Sequence, residues 1–261
     1  MATFVTFQAH PDDESITVGG TMRKAADEGH RVVLVVATGG ELGEIPEGLL
    51  AEGETLVQRR AAETRAAADI LGVKRLEFLG YHDSGMMGWE QNSASGAFWN
   101  ASVEEAAQKL AAILVEEQAD VITFDDDNGG YGHPDHIQVH RVGQRAAEIA
   151  GTPRVYQHTS NRDEAYERWR RYAEETGAEV PDFEGNEFGK PAAELTARVD
   201  VRDYVEAKRA GMRAHLSQIP EDSWFLAMPD EHFREAFGTE WFIRAGQGPG
   251  ITETDLLAGL D

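Results

Sequence analysis

Two short segments of the chain concentrate residues able to do chemistry. The first is Ala9-His10-Pro11-Asp12-Asp13-Glu14; the second is Gly129-Gly130-Tyr131-Gly132-His133-Pro134-Asp135-His136. Between them they supply three imidazoles, from His10, His133 and His136, and two adjacent carboxylates, Asp12 and Asp13. Two histidines and one carboxylate make a three-ligand set with a position open for water, the arrangement of catalytic zinc. A cation held that way lowers the pKa of its water toward ~7 and polarises a bound carbonyl. A leftover carboxylate can take the water's proton. A remaining histidine can protonate a leaving nitrogen or steady an oxyanion. The prolines after His10 and His133 bias both histidines away from helix and toward a fixed extended turn. Taken singly, each segment reads as less. Asp12 or Asp13 ahead of a helix is ordinary capping chemistry, and His-Pro-Asp-His alone reads as a surface turn.

Whether the segments meet depends on the elements that carry them. Residues 3–9 (TFVTFQA) and Arg31–Thr38 (RVVLVVAT) read as buried strands, followed by further strands at 75–79, 121–124 and 154–159. Helices are expected over 15–28, 56–71, 103–117 and 136–149, with Gly29 and Gly72 as stops. Loops fill 39–54, 81–101 and 125–134. This alternation predicts an α/β fold with a doubly wound, mostly parallel sheet, because parallel strands need crossover connections. In such sheets strand one lies beside strand four where the winding reverses, and ligands bind at the carboxyl ends there. Both motifs follow those two strands, so the fold brings them to one crevice. A catalytic core over 1–160 is expected, with a smaller C-terminal α+β region over 161–261 packed on it. Within that region a helix is expected at 164–176, a loop at 180–191, a strand at 194–201 and a helix at 205–216. The aromatic tail, from Trp224 and Phe225 through Phe233 and Phe237 to Trp241 and Phe242, should pack on the core or form an oligomer contact.

Composition narrows the chemistry further. The chain has 261 residues and no cysteine, so thiolate ligands and disulfides are excluded and any metal rests on His and carboxylate. Its formal net charge is −23, which disfavours nucleic acid and anionic membrane as partners. The start lacks a basic region, and no apolar run approaches the ~20 residues of a membrane span. A soluble cytoplasmic protein acting on a small molecule is the expectation.

At these motifs the sequence resembles the LmbE-like, or PIG-L, family of zinc-dependent N-acetylglucosaminyl deacetylases. The supporting segments are His10-Pro11-Asp12-Asp13-Glu14-Ser15, Tyr81-His82-Asp83-Ser84-Gly85-Met86 and the Gly130–His136 stretch. The branch it is most similar to is that of actinobacterial thiol metabolism, the mycothiol-pathway deacetylase and the mycothiol S-conjugate amidase. The resemblance implies a Rossmann-like core and zinc on His10, Asp13 and His136, with ferrous iron as an alternative occupant of such ligands. It implies Asp12 as general base and His133 as general acid or oxyanion partner, with Asp135 holding the protonation state of His133. Tyr131 would lie over the site on a Gly-flanked loop and help polarise the carbonyl. Arg60 and Asp83 would bind the sugar. For Arg60 a plain helix-face pair with Glu63 is the competing reading. Glu41 and Glu44 are weaker sugar-site candidates, and His82 and His140 read as structural. The amidase branch carries a Lys where this chain has Thr17, which favours a deacetylase pocket over one for a large conjugate. Two other readings stand beside this one. A non-haem iron oxygenase shares the His/His/carboxylate triad, but its jelly roll does not match the βα rhythm. A binding module without catalysis would have no use for a spare base and acid.

Overall fold

A computed structural model describes residues 1–177 and 188–260. Strands β1 (Thr3–Gln8), β2 (Arg31–Thr38), β3 (Arg75–Tyr81), β4 (Val121–Asp125) and β5 (Arg154–Thr159) pair in parallel. Strands β6 (Ala197–Asp200) and β7 (Thr239–Arg244) extend one side antiparallel, giving the order β3-β2-β1-β4-β5-β7-β6. The winding reverses between β1 and β4, so the expected crevice lies where the two motifs begin.

The strand sequences explain the layering. In β2, Val33, Val35 and Ala37 enter one core while Val32, Leu34 and Val36 enter the other. A strand covered on both faces therefore reads as an unbroken apolar run. The first face is covered by α4 (Val103–Glu116) and α6 (Pro134–Ala150). Gly143 lets α6 lie close on β4, since a Cβ there would stand 2.5 Å from the Phe124 ring. The second face is covered by α2 (Gly19–Asp27), by Leu71 at the end of α3 (Leu56–Leu71), and by residues of the C-terminal strands.

The single helix expected over 15–28 is instead two: α1 (Asp13–Thr17), and α2 after a break at Val18, φ −128°. Gly19 and Gly20 weaken the helix there, and a distant carboxylate completes the break. Glu240 of β7 accepts the main-chain N–H of Gly20 and Thr21, each at 2.8 Å, capping the start of α2. Lys208 of α8 (Val205–Ala214) pairs with the same carboxylate. The remaining helices are the short α5 (Gly129–Gly132), α7 (Arg162–Thr176) and α9 (Asp230–Phe237).

The strand expected at 194–201 is shorter, with a 3₁₀ turn at Ala192–Glu194 before β6. The loop expected over 180–191 falls largely outside the described residues. Of the aromatic tail, Phe242 joins the sheet core through β7, and Phe233 packs with Val205 and Met212 under α8 and α9. Trp224 stays 57% exposed and stacks on Phe225. Among the described residues no helix is long and apolar enough to cross a membrane.

Candidate active site

The loop after β1 and the turn ahead of α6 meet at the sheet's carboxyl edge, around a cleft of about 200 Å³. Asp13 is the centre of the arrangement. Its Oδ2 lies 3.5 Å from His10 Nδ1 and 3.4 Å from His136 Nε2, and it accepts the His10 main-chain N–H at 2.8 Å. The three expected metal ligands are thus side by side, and all are buried. The rings of His10, His133 and His136 form a second compact group.

Each of the two outer imidazoles meets a carboxylate on its far nitrogen. His136 Nδ1 is 3.0 Å from Asp125 Oδ1, while His136 Nε2, facing Asp13, has no hydrogen-bond partner. His10 Nε2 is 3.2 Å from Asp135 Oδ2 and 3.6 Å from Asp83 Oδ1. Carboxylates behind histidines fix the tautomer and aim the other nitrogen at a metal. The orphaned buried Nε2 of His136, beside an anionic oxygen, fits a divalent cation.

The electrostatics agree. Burial pushes His136 down, but Asp13 and Asp125 outweigh it and lift it to about 9. Burial likewise opposes the charged form of His10, and Asp13, Asp135 and Asp83 raise it well above the ordinary histidine value. Asp13, despite burial, is held at about 2 by His136 and His10. The cage favours positive charge at its centre. Burial and the neighbouring His10 and His136 pull His133 the other way, to about 4, so it stays neutral.

Asp12 sits at the N-cap of α1, but its side chain makes no capping bond, so the capping reading of this motif fails. Its backbone stands at φ 109°, a conformation costing about 1–3 kcal/mol for a non-glycine residue. Burial raises its carboxyl, Arg60 opposes this, and the balance is about 6.

His133 caps α6, with Nδ1 accepting the Asp135 main-chain N–H at 3.1 Å. That bond leaves the proton of neutral His133 on Nε2. The side chain of Asp135 goes elsewhere than expected: to His10 and to the hydroxyl and N–H of Ser84. Its hold on His133 runs through the main chain and through charge.

Arg60 lines the cleft but turns its donors onto the protein: Gly40 O at 2.6 Å, Pro11 O, and Asp12 Oδ2 at 3.3 Å. The helix-face pair with Glu63 does not form either, because both Glu63 oxygens are held by Ser217. Asp83 lines the cleft, with its oxygens accepting Gly85 N–H at 2.8 Å and Leu42 N–H at 3.3 Å. Tyr131 is 47% exposed, its ring centroid 5.2 Å from that of His136. It rides on α5, where Gly130 and Gly132 adopt φ of 69° and 88° that side-chain-bearing residues avoid. Met86 and Trp89 form the exposed rim. His82 pairs with Glu41 at 2.7 Å and His140 with the Asp125 carbonyl at 3.1 Å. Thr17 turns its hydroxyl to the Asp13 carbonyl at 2.7 Å.

Sequence reasoning missed Asp125, His158, Ser84, Glu14 and His215. Asp125 ends β4 and pairs in register with His158, next to last in β5, with His158 Nε2 3.3 Å from Asp125 Oδ1, so their position near the strand carboxyl ends was a usable signal. Glu14 stands inside the first motif, yet its partner His215 lies 201 positions away and carries no local mark.

Fold and site together define a class: an α/β protein whose crevice gathers three imidazoles and neighbouring carboxylates able to hold a metal. The sequence model of the PIG-L family, GlcNAc-PI de-N-acetylase, matches residues 5–147, and the chain belongs to that family. It is similar to the 1D-myo-inositol 2-acetamido-2-deoxy-alpha-D-glucopyranoside deacetylase of Nocardiopsis dassonvillei, 41% identical across 97% of this chain and 99% of the relative. The Streptomyces avermitilis protein of the same name is 40% identical over 97% and 95%. Among solved structures, N,N'-diacetylchitobiose deacetylase from Pyrococcus horikoshii aligns with a TM-score of 0.59 and 25% identity, covering 93% of this chain and 83% of that one. A deacetylase of teicoplanin biosynthesis shares the fold, with a TM-score of 0.60 at 19% identity over 95% and 100%. The chain is thus a hydrolase of the deacetylase kind, with a donor set for a metal.

Proposed function

We infer that the chain removes the acetyl group from N-acetylglucosamine linked to myo-inositol, with zinc on His10, Asp13 and His136. The observation that carries the chemistry is Asp13 Oδ2 standing between His10 Nδ1 and His136 Nε2, with Asp12 and His133 left beside them. The glycoside is read from the relatives' names and from their cover of nearly the whole chain. A zinc ion held there would polarise the amide carbonyl and lower the pKa of water.

The protein's own groups supply the rest. Asp12 takes a proton from the attacking water, the water's oxygen bonds to the carbonyl carbon, and the C–N bond breaks to amine and acetate. The proton ends on the departing nitrogen. Neutral His133, with its proton on Nε2, suits hydrogen-bond donation to the developing oxyanion better than outright acid catalysis. Asp83 faces the cleft with its carboxylate preset by two main-chain N–H groups, suited to paired sugar hydroxyls. Arg60 is assigned to holding Asp12 rather than to the sugar, because its Nη1 and Nη2 donate to Gly40 O, Pro11 O and Asp12 Oδ2 and its Nε is buried away from the cleft's solvent. Tyr131, over the histidines, closes the carbonyl side. Asp135, behind His10, fixes that ligand's orientation.

The test is acetate release from the inositol glycoside and from free N-acetylglucosamine, with a chelated control. Release from the glycoside, lost on chelation and restored by zinc, is expected. Asp12→Ala should abolish turnover with metal still bound, whereas His136→Ala loses both. Equal metal loss in the two variants would defeat this division of roles.

A further inference from the structure

Hydrolysis as read above requires the Asp12 carboxylate in one place, yet the Asp12 backbone stands at φ 109°. Such a torsion persists only where the surroundings over-determine it. The Asp12 N–H donates to Glu14 Oε2 at 3.0 Å. The other oxygen, Glu14 Oε1, accepts from the Ser15 hydroxyl at 2.7 Å and from His215 Nε2 at 2.6 Å. Glu14 and His215 are both fully buried.

His215 belongs to a larger strut. It ends α8 and opens a turn whose other members grip the same edge of the sheet. Ser217 holds the Glu63 carboxylate through its N–H at 3.1 Å and its hydroxyl at 2.6 Å. Glu63 lies on α3 one turn from Arg60, which reaches Asp12 and the Pro11 carbonyl. Gln218 donates to the Glu44 carbonyl at 3.1 Å and lines the cleft. Gly211 brings α8 onto α1, since a Cβ there would stand 3.0 Å from Ser15 Oγ. One turn of the C-terminal region thus touches the Asp12 loop, the Arg60 helix and the loop after β2.

We propose that His215 is a positioning residue for Asp12: its Nε2–H fixes Glu14, and Glu14 fixes the strained Asp12 peptide that aims the carboxylate. This rests on the reading of Asp12 as the base. The C-terminal region, which supplies none of the three proposed metal ligands, then sets the rate through this contact.

The experiment compares His215→Leu and His215→Gln in the full zinc-loaded chain, by kinetics, zinc content and crystallography. The Leu variant should lose up to about 100-fold in kcat, since a misplacement of about 1 Å caused by a change away from the chemistry costs about that much. KM and zinc content should hold, and the crystal structure should show Asp12 leaving the positive-φ region. The Gln variant, whose amide nitrogen reaches the place of Nε2, should recover most of kcat. Should the Leu variant not fold, His215→Asn, whose shorter amide leaves Glu14 without its donor, takes its place with the same readings. An unchanged kcat overturns the proposal, as does a loss that follows zinc content or KM alone. If the wild type releases no acetate from the glycoside, the substrate reading falls by itself. The Asp12 torsion in the Leu variant then decides: an unmoved φ overturns the proposal and a relaxed one supports it.

Discussion

Arg60→Met tests how the site sets the ionisation of its base. Burial lifts the Asp12 carboxyl, Arg60 gives the largest opposing pull, and the outcome is about 6. The guanidinium nitrogen lies 3.3 Å from Asp12 Oδ2, with both side chains largely buried. Coulomb's law at an effective dielectric of about 20 puts a ceiling of roughly 5 kcal/mol on that contact. Opposite charges this close lower a carboxylate's pKa by about 1–3 units. Losing Arg60 therefore raises the Asp12 carboxyl by that amount, and a base with a raised pKa is protonated, and idle, over a wider acid range. From a start near 6, before any metal binds, the ionised fraction at pH 7 falls from about 0.9 to between about 0.5 and 0.01, and the acid limb of kcat/KM moves up by the same 1–3 pH units. The assay is acetate release as a function of pH for zinc-loaded wild type, Arg60→Met and Arg60→Lys. A bound dication pulls Asp12 down in all three, so the difference between them survives. The Met variant should shift its acid limb upward. The Lys variant keeps the charge but loses the fork to Pro11 and Gly40, so its limb should stay while its plateau falls. A Met variant whose plateau drops with the limb unmoved would show that Arg60 acts only through those carbonyls, refuting the electrostatic account.

Asp125→Asn should weaken zinc affinity roughly 10–100-fold with the fold intact, because Asp125 backs His136 at 3.0 Å. Competition with a chromophoric chelator reads this directly, and an unchanged affinity would remove Asp125 from the site. Lys208→Met should cost about 3 kcal/mol by leaving buried Glu240 without its cation, lowering Tm by roughly 6–12 °C. Calorimetry showing no shift would mean that the N–H groups of Gly20 and Thr21 satisfy that carboxylate alone.

What the sequence disclosed follows from the range of the forces involved. β2 was legible because burial on both faces leaves an apolar run that no other local structure explains. The two motifs were legible because their histidines and carboxylates lie within a few residues of one another, and because strand order alone brings the loops together. The break at Val18 was hidden because part of its cause is Glu240, 220 positions from the Gly20 N–H it caps, whose identity as a cap exists only once β7 joins the sheet. The direction of a side chain was equally hidden: Asp135, adjacent to His136 in sequence, serves His10 instead.

That last contact changes how the centre is understood. Asp125 stands behind His136 and Asp135 behind His10, so each imidazole flanking Asp13 has its own anionic backing. The two backings flank α5, Asp125 at the end of β4 and Asp135 in the first turn of α6. Ser84 fixes the second by holding both Asp135 oxygens from the loop after β3. The motif at 129–136 therefore does more than bring its own histidines to the crevice. It also holds the imidazole of the other motif through Asp135, and Asp13 of that motif in turn meets His136, so neither loop can shift without disturbing the other's imidazole. This coupling ties two sequence-distant loops together at the site, while Tyr131, the exposed member of the same stretch, sits between glycines at positive φ and outside those carboxylate contacts.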